Sequence, residues 1–270
     1  MLEFIVNIEA DRDETVLQQF AFALARQHGA FLTGIHLVVV DATMMAVPGG
    51  KGVLDDEERA AQQRSDWWKD LCHAHQVRGE WEVLRGFFQS VMARRASFSD
   101  LIIGRLSTHQ GEALLGLGLI SRIVFSDVVP ILLVPETWKR HDGVKKAVIA
   151  WDGSAEAARA AKASLPLLRQ AEEIVVLNGE QDAFPVFGNG HMRLPLGAWL
   201  DRQGLSVQWH PMNPPPTLEM GELIHQRAMD MDADLLVMGA WGHSRMSELL
   251  MGGVTRYMLR NAQLPVLYAH

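Results

Sequence analysis

The feature that most constrains the fold is that the second half of the chain repeats the first. Between Asp100 and Arg122 the sequence aligns without a gap to a segment that begins at Asp234. The paired positions are Asp100 and Asp234, His109 and His243, Gly118 and Gly252, and Arg122 and Arg256. Self-similarity over so long a period indicates one structural unit present twice. We therefore predict two domains, residues 1–137 and 143–270, joined by a polar connector.

Short apolar segments alternate with longer amphipathic segments inside each repeat. The predicted strands are Phe4–Ile8, Leu32–Val40, Glu80–Leu84, Leu101–Ile103 and Ile131–Val134, then Ala147–Trp151, Ile174–Asn178, Ser206–His210, Leu235–Met238 and Val266–Ala269. The predicted helices are Glu14–His28, one within Asp55–His75, Phe88–Phe98 and Ile120–Ser126, then Ala155–Gln170 with Ser154 as its cap, Met192–Arg202, Leu218–Met231 and Val254–Asn261. Met44–Gly52 is predicted to be a loop.

Short, continuously apolar strands between helices are typical of a parallel sheet that is covered on both faces. The prediction is therefore an α/β fold of two tandem repeats. Each repeat would be a mostly parallel five-stranded sheet with helices on both faces, similar to a Rossmann fold.

Composition narrows the class of protein. The net charge of −7 comes from 25 basic and 32 acidic residues, without the long basic run that holds nucleic-acid phosphates. Cys72 is the one cysteine, which excludes an internal disulfide and a cysteine-based zinc site. The first residues lack the basic flank of a signal peptide, and no segment approaches the ~20 uninterrupted apolar residues of a membrane span. We expect a cytoplasmic protein without membrane or nucleic-acid partners.

A glycine-rich segment in the second repeat is the best candidate for a binding site. It runs from Gly239 and Gly242, directly after a predicted strand, to Gly252 and Gly253, directly before a predicted helix. The carboxyl edge of an open parallel sheet is where ligands bind. Glycine there lets the backbone approach a ligand closely and adopt positive φ. The free N–H groups and the dipole at a helix N-terminus favour an anion such as phosphate.

Two side chains would complete this site. Thr255 would add a hydroxyl donor, and Asp152, at the end of the first strand of the repeat, would accept from a ribose hydroxyl or approach a metal on the phosphates. Two plainer interpretations stay open. The glycines would also be expected in a segment that only makes turns, and Asp152 would also serve to cap the helix that begins at Ala155.

The spacing of these residues resembles that of a known family. In the second repeat, two residues separate Gly239 from Gly242, nine separate Gly242 from Gly252, and Gly253-Val254-Thr255 follow. This spacing resembles the nucleotide-binding signature of ATP-binding universal stress proteins. The segment Ala150-Trp-Asp152-Gly-Ser resembles the end of the family's first strand, where an Asp meets the nucleotide. The resemblance covers nearly the whole chain, once per repeat. It implies a tandem universal stress protein with a fold like that of the adenine nucleotide alpha hydrolases.

The resemblance also implies a set of binding residues. Phosphate contacts map to Gly239, Gly242, Gly252, Gly253 and Thr255, with Val254 close by, and adenine and ribose contacts map to Ala150, Asp152, Gly179 and Met238. The implied ligand is ATP, with ADP and AMP as alternatives, and with or without Mg²⁺. Gly253 departs from the family pattern because it carries no hydroxyl. We expect this to remove one neutral hydrogen bond, worth about 0.5–1.5 kcal/mol.

The first repeat departs further from the pattern. Arg105 replaces Gly239, Thr108 replaces Gly242, Leu119 replaces Gly253 and Glu9 replaces Asp152, while Gly118 and Ser121 persist. Side chains at two of the loop glycines would fill the space that phosphates need. We therefore expect the N-terminal repeat to bind ATP poorly or not at all.

Three functions of different classes stay open at this point. The first is a stress-response regulatory protein that binds adenine nucleotide in its C-terminal repeat. The second is a slow ATPase or nucleotidyl-transfer enzyme, although the segment has no Walker lysine and no nucleophile–base pair. The third is a nucleotide-free interaction module.

We also expect Ile131–Val134 and Val266–Ala269 to pair with each other in an intramolecular pseudo-dimer, because unpaired they would be sheet edges prone to aggregation. A homodimer of the whole chain stays open.

Overall fold

A computed structural model describes residues 1–8, 15–41, 45–106, 129–140, 142–179, 196–212, 218–240 and 252–270. The chain forms two compact units, Met1–Gly143 and Val144–His270. Each unit is an α/β domain that contributes five parallel strands. The predicted helix Ile120–Ser126 lies outside the described residues. How the two units associate stays a prediction of the sequence analysis.

The first unit contains five strands and four helices among its described residues. In chain order they are β1 (Glu3–Asn7), α1 (Val16–His28), β2 (Phe31–Val39), α2 (Gly50–Gln62), α3 (Ser65–Ala74), β3 (Arg78–Gly86), α4 (Phe88–Ala96), β4 (Leu101–Leu106) and β5 (Ile131–Pro135). The strands lie in the order β3-β2-β1-β4-β5, and every neighbouring pair is parallel. β4 and β5 are almost entirely buried, as expected for strands of a parallel sheet covered on both faces.

The second unit repeats this arrangement. Its described elements are β6 (Lys146–Trp151), α5 (Ala155–Ala163), α6 (Leu165–Leu168), β7 (Glu173–Asn178), α7 (Leu196–Arg202), β8 (Gln208–Pro211), α8 (Met220–Asp230), β9 (Leu235–Gly239), α9 (Gly253–Asn261) and β10 (Val266–Ala269). The strands lie in the order β10-β9-β6-β7-β8, again all parallel. The predicted fold class is confirmed in both units.

Two helix predictions were wrong in their limits, each for a local reason. The segment predicted as one helix from Ala155 to Gln170 is two helices that meet at Ser164. Pro166 is the second residue of the second helix, and a proline has no N–H with which to continue the hydrogen bonds of the preceding helix. The second helix of the first unit begins at Gly50, inside the predicted loop, because Gly49 makes the entry turn with a φ of +83°.

One acidic residue holds the central strands of each unit together at their amino ends. Asp234 accepts a hydrogen bond from the backbone N–H of Lys146 (2.9 Å), and its own N–H donates to the carbonyl of Lys146 (2.9 Å). Asp100 makes the same two bonds with Glu3, each of 2.8 Å. These two acidic residues are paired positions of the sequence repeat, and the structure gives the physical reason for their recurrence.

Among the described residues, no helix is long and apolar enough to cross a membrane.

Candidate functional site

The chain order of the second sheet places a crevice beside its central strand. From β6 the chain continues to β7 and β8 on one side, then crosses to β9 and β10 on the other side. The order of the strands therefore reverses between β6 and β9. In open α/β sheets, ligands bind at the carboxyl ends of the two strands where this reversal occurs.

The strand pairing shows where the crevice opens. The paired register of β6 and β9 ends at Ile149 and Val237. By contrast, β6 stays paired to β7 as far as Trp151, and β9 stays paired to β10 as far as Gly239. The last residues of β6 and β9 are therefore held by their outer neighbours but not by each other, and a gap lies between them.

A cavity of about 240 Å³ occupies this gap. The described residues that line it and that the sequence analysis predicted as site residues are Ala150, Asp152, Gly179, Met238, Gly239, Gly252, Gly253, Val254 and Thr255. Gly242, the tenth predicted site residue, lies outside the described residues. The structure therefore brings together every predicted site residue that it describes, although these residues come from four separate segments of the chain.

The cavity also has lining residues that the sequence analysis did not predict. They are Trp151, Ser154, Ala157, Leu177, Met212, Met220 and Ile224. Most of them are apolar and bring no recognisable motif. Their position along the chain is the one feature that could have indicated them. Leu177 and Met212 lie at or next to the carboxyl ends of β7 and β8, the edge where a parallel sheet binds ligands.

The lining of the cavity combines two kinds of chemistry. Part of it is apolar and consists of Leu177, Met238, Met212, Met220 and Ile224. A flat, largely apolar ring system could pack against such a surface. The residues at the start of α9 add polar backbone groups to the same lining. This combination suits a ligand with an aromatic base and an anionic group.

The N-terminus of α9 presents unpaired backbone donors to the cavity. Gly252 is the N-cap, and the first intrahelical bond runs from Arg256 N–H to the Gly252 carbonyl (2.9 Å). The N–H groups of Gly253, Val254 and Thr255 therefore have no partner inside the helix. Thr255 is buried, whereas Gly253 is exposed, and both line the cavity. Such an end favours a negatively charged group.

Asp152 stands opposite, at the carboxyl end of β6. One carboxylate oxygen accepts from the N–H of Ser154 (2.9 Å). The cap of α5 is Ser154, as predicted, because its hydroxyl accepts from Ala157 N–H (3.1 Å). Asp152 is therefore not the residue that caps the helix directly. Its side chain is exposed, and the carboxylate has acceptor capacity beyond the bond to Ser154.

The glycines in the site are there for different reasons. A Cβ atom built on Gly239 would lie 2.7 Å from the backbone N of Ala157, because the first turn of α5 crosses directly over it. A Cβ atom on Gly253 would meet nothing within 4 Å. The expectation that positive φ explains the glycines of this segment was wrong at Gly252, whose φ is −54°. A positive φ is found instead in the turn after β6, at Gly153, where φ is +78°.

Close packing between α8 and α9 fixes the wall that carries the donors. A Cβ atom on Gly221 would lie 2.8 Å from the Cβ of Tyr257, so only glycine lets the helices approach this closely. His225 reinforces the pair because its Nε2 accepts from Gln263 N–H (3.2 Å), just beyond the end of α9. Burial lowers the pKa of His225, which keeps it neutral and able to accept.

Among the described residues, no three His, Cys, Asp or Glu side chains are grouped to hold a metal ion.

The corresponding edge of the first unit is built differently. Arg105, which occupies the position of Gly239, is largely buried and forms a 2.7 Å ion pair with Glu136 just beyond β5. The other predicted differences, at Glu9, Thr108 and Leu119, lie outside the described residues. A charged side chain thus stands where the second unit has none.

Comparison with known proteins points to one family. Residues 218–270, which include α8, β9, α9 and β10, match the model of the universal stress protein family. The matched segment lies within the C-terminal unit. No curated protein matches the chain.

Solved structures share the fold over the full length. A universal stress protein from Archaeoglobus fulgidus DSM 4304 is 17% identical, with 99% of this chain and 97% of that chain covered and a TM-score of 0.69. A protein of unknown function from Pseudomonas aeruginosa PAO1 is 15% identical, with 99% and 92% covered and a TM-score of 0.60. At this identity the likeness concerns the fold alone.

Proposed function

We propose that this chain is a cytoplasmic stress-response regulatory protein that binds an adenine nucleotide, ATP in the first place, in its C-terminal universal stress protein domain. One observation carries the proposal. The nine described residues that the sequence singled out line one cavity, at the reversal point of the sheet and against a helix N-terminus. A turn-making role for the glycines would not require these separate segments to converge on a cavity.

The lining suggests how each part of the ligand would be held. Adenine would pack against the apolar part of the cavity lining, which includes Met238 on β9 and Leu177 on β7. The ribose would lie near Asp152, whose carboxylate accepts hydrogen bonds from hydroxyls. The phosphates would face the N–H groups at Gly253, Val254 and Thr255. Mg²⁺ would enter with the phosphates, and Asp152 is the carboxylate of the cavity that would reach it.

The described lining favours binding over turnover. Its hydroxyls belong to Ser154, which caps α5, and to Thr255, which is buried. Asp152 is the one ionisable side chain in that part of the lining, and no histidine or lysine stands beside a hydroxyl there. Nucleophilic catalysis needs such a pair. We therefore propose that nucleotide occupancy, rather than a reaction product, is the output of the site.

Titration calorimetry with ATP, ADP and AMP tests the proposal, together with two matched glycine variants. A Cβ atom on Gly179 makes only ordinary contacts, of 3.6 Å or more, with Trp151, Met220 and Met212. Gly179→Val should therefore fold normally, while its methyl groups fill the part of the cavity that we assign to the adenine base. Gly253→Ala adds a methyl group in open space. We expect Gly179→Val to weaken nucleotide binding by roughly tenfold or more, because the apolar contacts of the base that it would displace are worth about 1.5–3 kcal/mol. We expect Gly253→Ala to bind like the wild type.

Two results would overturn the proposal. If none of the three nucleotides binds at millimolar concentration, the chain is the nucleotide-free interaction module of the sequence analysis. If ATP binds with equal affinity to the wild type and to Gly179→Val, the nucleotide lies elsewhere. Circular dichroism of each variant shows whether a loss of binding reflects a loss of fold.

A further inference from the structure

Three methionine side chains line the same cavity. Met212 follows β8, Met220 begins α8 and Met238 lies on β9, so they reach the cavity from three separate segments. Two of them converge above Gly179, where a built Cβ atom would lie 3.8 Å from Met220 Cε and 3.9 Å from Met212 Cβ. Thioethers therefore form much of the apolar surface that the proposed function assigns to the adenine base.

The cavity gives solvent-borne reagents a route to these side chains. Asp152 and Gly253, on its rim, are exposed. Met220 is half-buried, whereas Met212 and Met238 are buried, with exposed fractions of 8% and 4%. Hydrogen peroxide is only slightly larger than water and fits a cavity of about 240 Å³ many times over. Met220 is the one most open to attack.

The single thiol of the chain does not compete for peroxide. Cys72 is buried in the other unit, and burial raises the pKa of its thiol to about 11. The thiolate is the reactive form of cysteine, so this thiol reacts slowly near neutral pH. The chain has 13 methionines and this one cysteine, which makes thioethers its main two-electron reductants.

We propose that Met220, with Met212 and Met238, is an oxidation site through which peroxide weakens nucleotide binding. The inference rests on the proposed function. The thioether sulfur attacks one peroxide oxygen, the O–O bond breaks and an S–O bond forms. The proton of the transferred oxygen leaves with the other oxygen as water, so sulfur loses two electrons and peroxide gains them. The sulfoxide places a polar oxygen in an apolar wall, which disfavours a base packed against it.

The test measures oxidation and binding on the same full-length sample. Wild-type protein is treated with hydrogen peroxide and quenched, sulfoxide is quantified at each methionine by peptide mass mapping, and ATP and AMP are titrated separately. Met45, which is 62% exposed in the other unit, and Met92, which is fully buried there, provide the two extremes of reactivity. We expect Met220 to oxidise soon after Met45 and well before Met92. Binding should then weaken by roughly tenfold or more.

Variants and repair separate the cavity methionines from the others. Met212→Leu/Met220→Leu/Met238→Leu keeps the wall apolar and of similar volume but has no cavity thioether, so the affinity that it has before treatment should not change after peroxide. If that variant fails to fold, Met220→Leu alone makes the same comparison, and repair of oxidised wild type by methionine sulfoxide reductases shows whether methionine oxidation caused the loss. Met45→Leu should lose binding on oxidation just as the wild type does.

The outcomes distinguish this inference from the proposed function. If the untreated protein binds neither ATP nor AMP, both fail. If it binds and the affinity is unchanged once Met220 is shown to be sulfoxide, only the oxidation site is wrong. It is also wrong if Met220 resists peroxide as long as Met92 does.

Discussion

Replacing Gly239 by alanine should destabilise the second unit even when no ligand is present. A Cβ atom at this position would lie 2.7 Å from Ala157 N, 2.7 Å from the carbonyl carbon of Glu156 and 2.8 Å from Glu156 Cβ. Two of these three atoms belong to the backbone of the first turn of α5, which Ser154 caps. Neither can move without moving the helix.

The geometry sets the size of the effect. Ordinary contacts of a Cβ atom begin at 3.4 Å, so α5 would have to move away by several tenths of an ångström against its packing on β9 and β10. Overpacking of this kind costs about 1–3 kcal/mol of the free energy of unfolding. A movement of α5 would also shift Ala157 and Ser154, which line the cavity, so affinity for ATP should fall together with stability.

Denaturant unfolding followed by circular dichroism measures the loss, and Gly253→Ala is the matched control. Both glycines belong to the same signature, but a Cβ atom on Gly253 meets nothing within 4 Å. Its replacement should leave stability unchanged or raise it by about 0.4–1 kcal/mol, because alanine restricts the unfolded chain. Equal stability of Gly239→Ala and wild type would refute the conclusion that helix packing requires glycine at this position.

Further predictions concern other parts of the chain. Asp234→Ala should lower the free energy of unfolding by about 1–3 kcal/mol, since it leaves the half-buried N–H of Lys146 without this acceptor. Asp234→Asn, which keeps one acceptor oxygen, should recover part of the loss in the same denaturation assay. Burial lowers the pKa of His28 from an ordinary 6.5 to about 4. As the pH falls, this side chain is therefore protonated in the unfolded chain before it is protonated in the folded one. Its contribution to the free energy of unfolding is fully present above pH 6.5 and is lost as the pH falls towards 4. We expect a loss on the order of 1 kcal/mol between pH 7 and pH 5, and a smaller pH dependence in His28→Leu. Calorimetry of the full chain should give one ATP per chain rather than two, because Arg105 occupies the position of Gly239 in the first unit; two equivalent sites would contradict this.

Much of the fold was predictable because strand and helix periods are local properties. The second unit shows this well: the predicted strand Val266–Ala269 is found unchanged, and the strand predicted at Leu235–Met238 differs by one residue. The errors lie where a single residue interrupts a pattern without changing its period. The end of α5 before Pro166 is such a case, because the apolar spacing continues across the break.

The site was predictable only in part. Glycines and an aspartate at strand ends form a recognisable spacing, and the structure brings the described ones together. Met212 and Met220 could not be found this way, because an apolar side chain at the start of a helix or after a strand has no distinguishing spacing. The role of Gly239 was also hidden, since its contact with Glu156 is between residues distant in sequence. Whether these residues bind nucleotide stays a prediction.

The aspartates at the amino ends of the sheets have a consequence for how such a chain can change. In each unit, Asp100 or Asp234 fastens two strands that are far apart in sequence but adjacent in space, at the end remote from the crevice. The strands are thus anchored at one edge, while their opposite ends are free to diverge. Substitutions at that free edge, such as arginine for glycine at position 105, leave the anchor untouched. One copy of a duplicated domain can therefore lose or exchange its ligand without losing its fold.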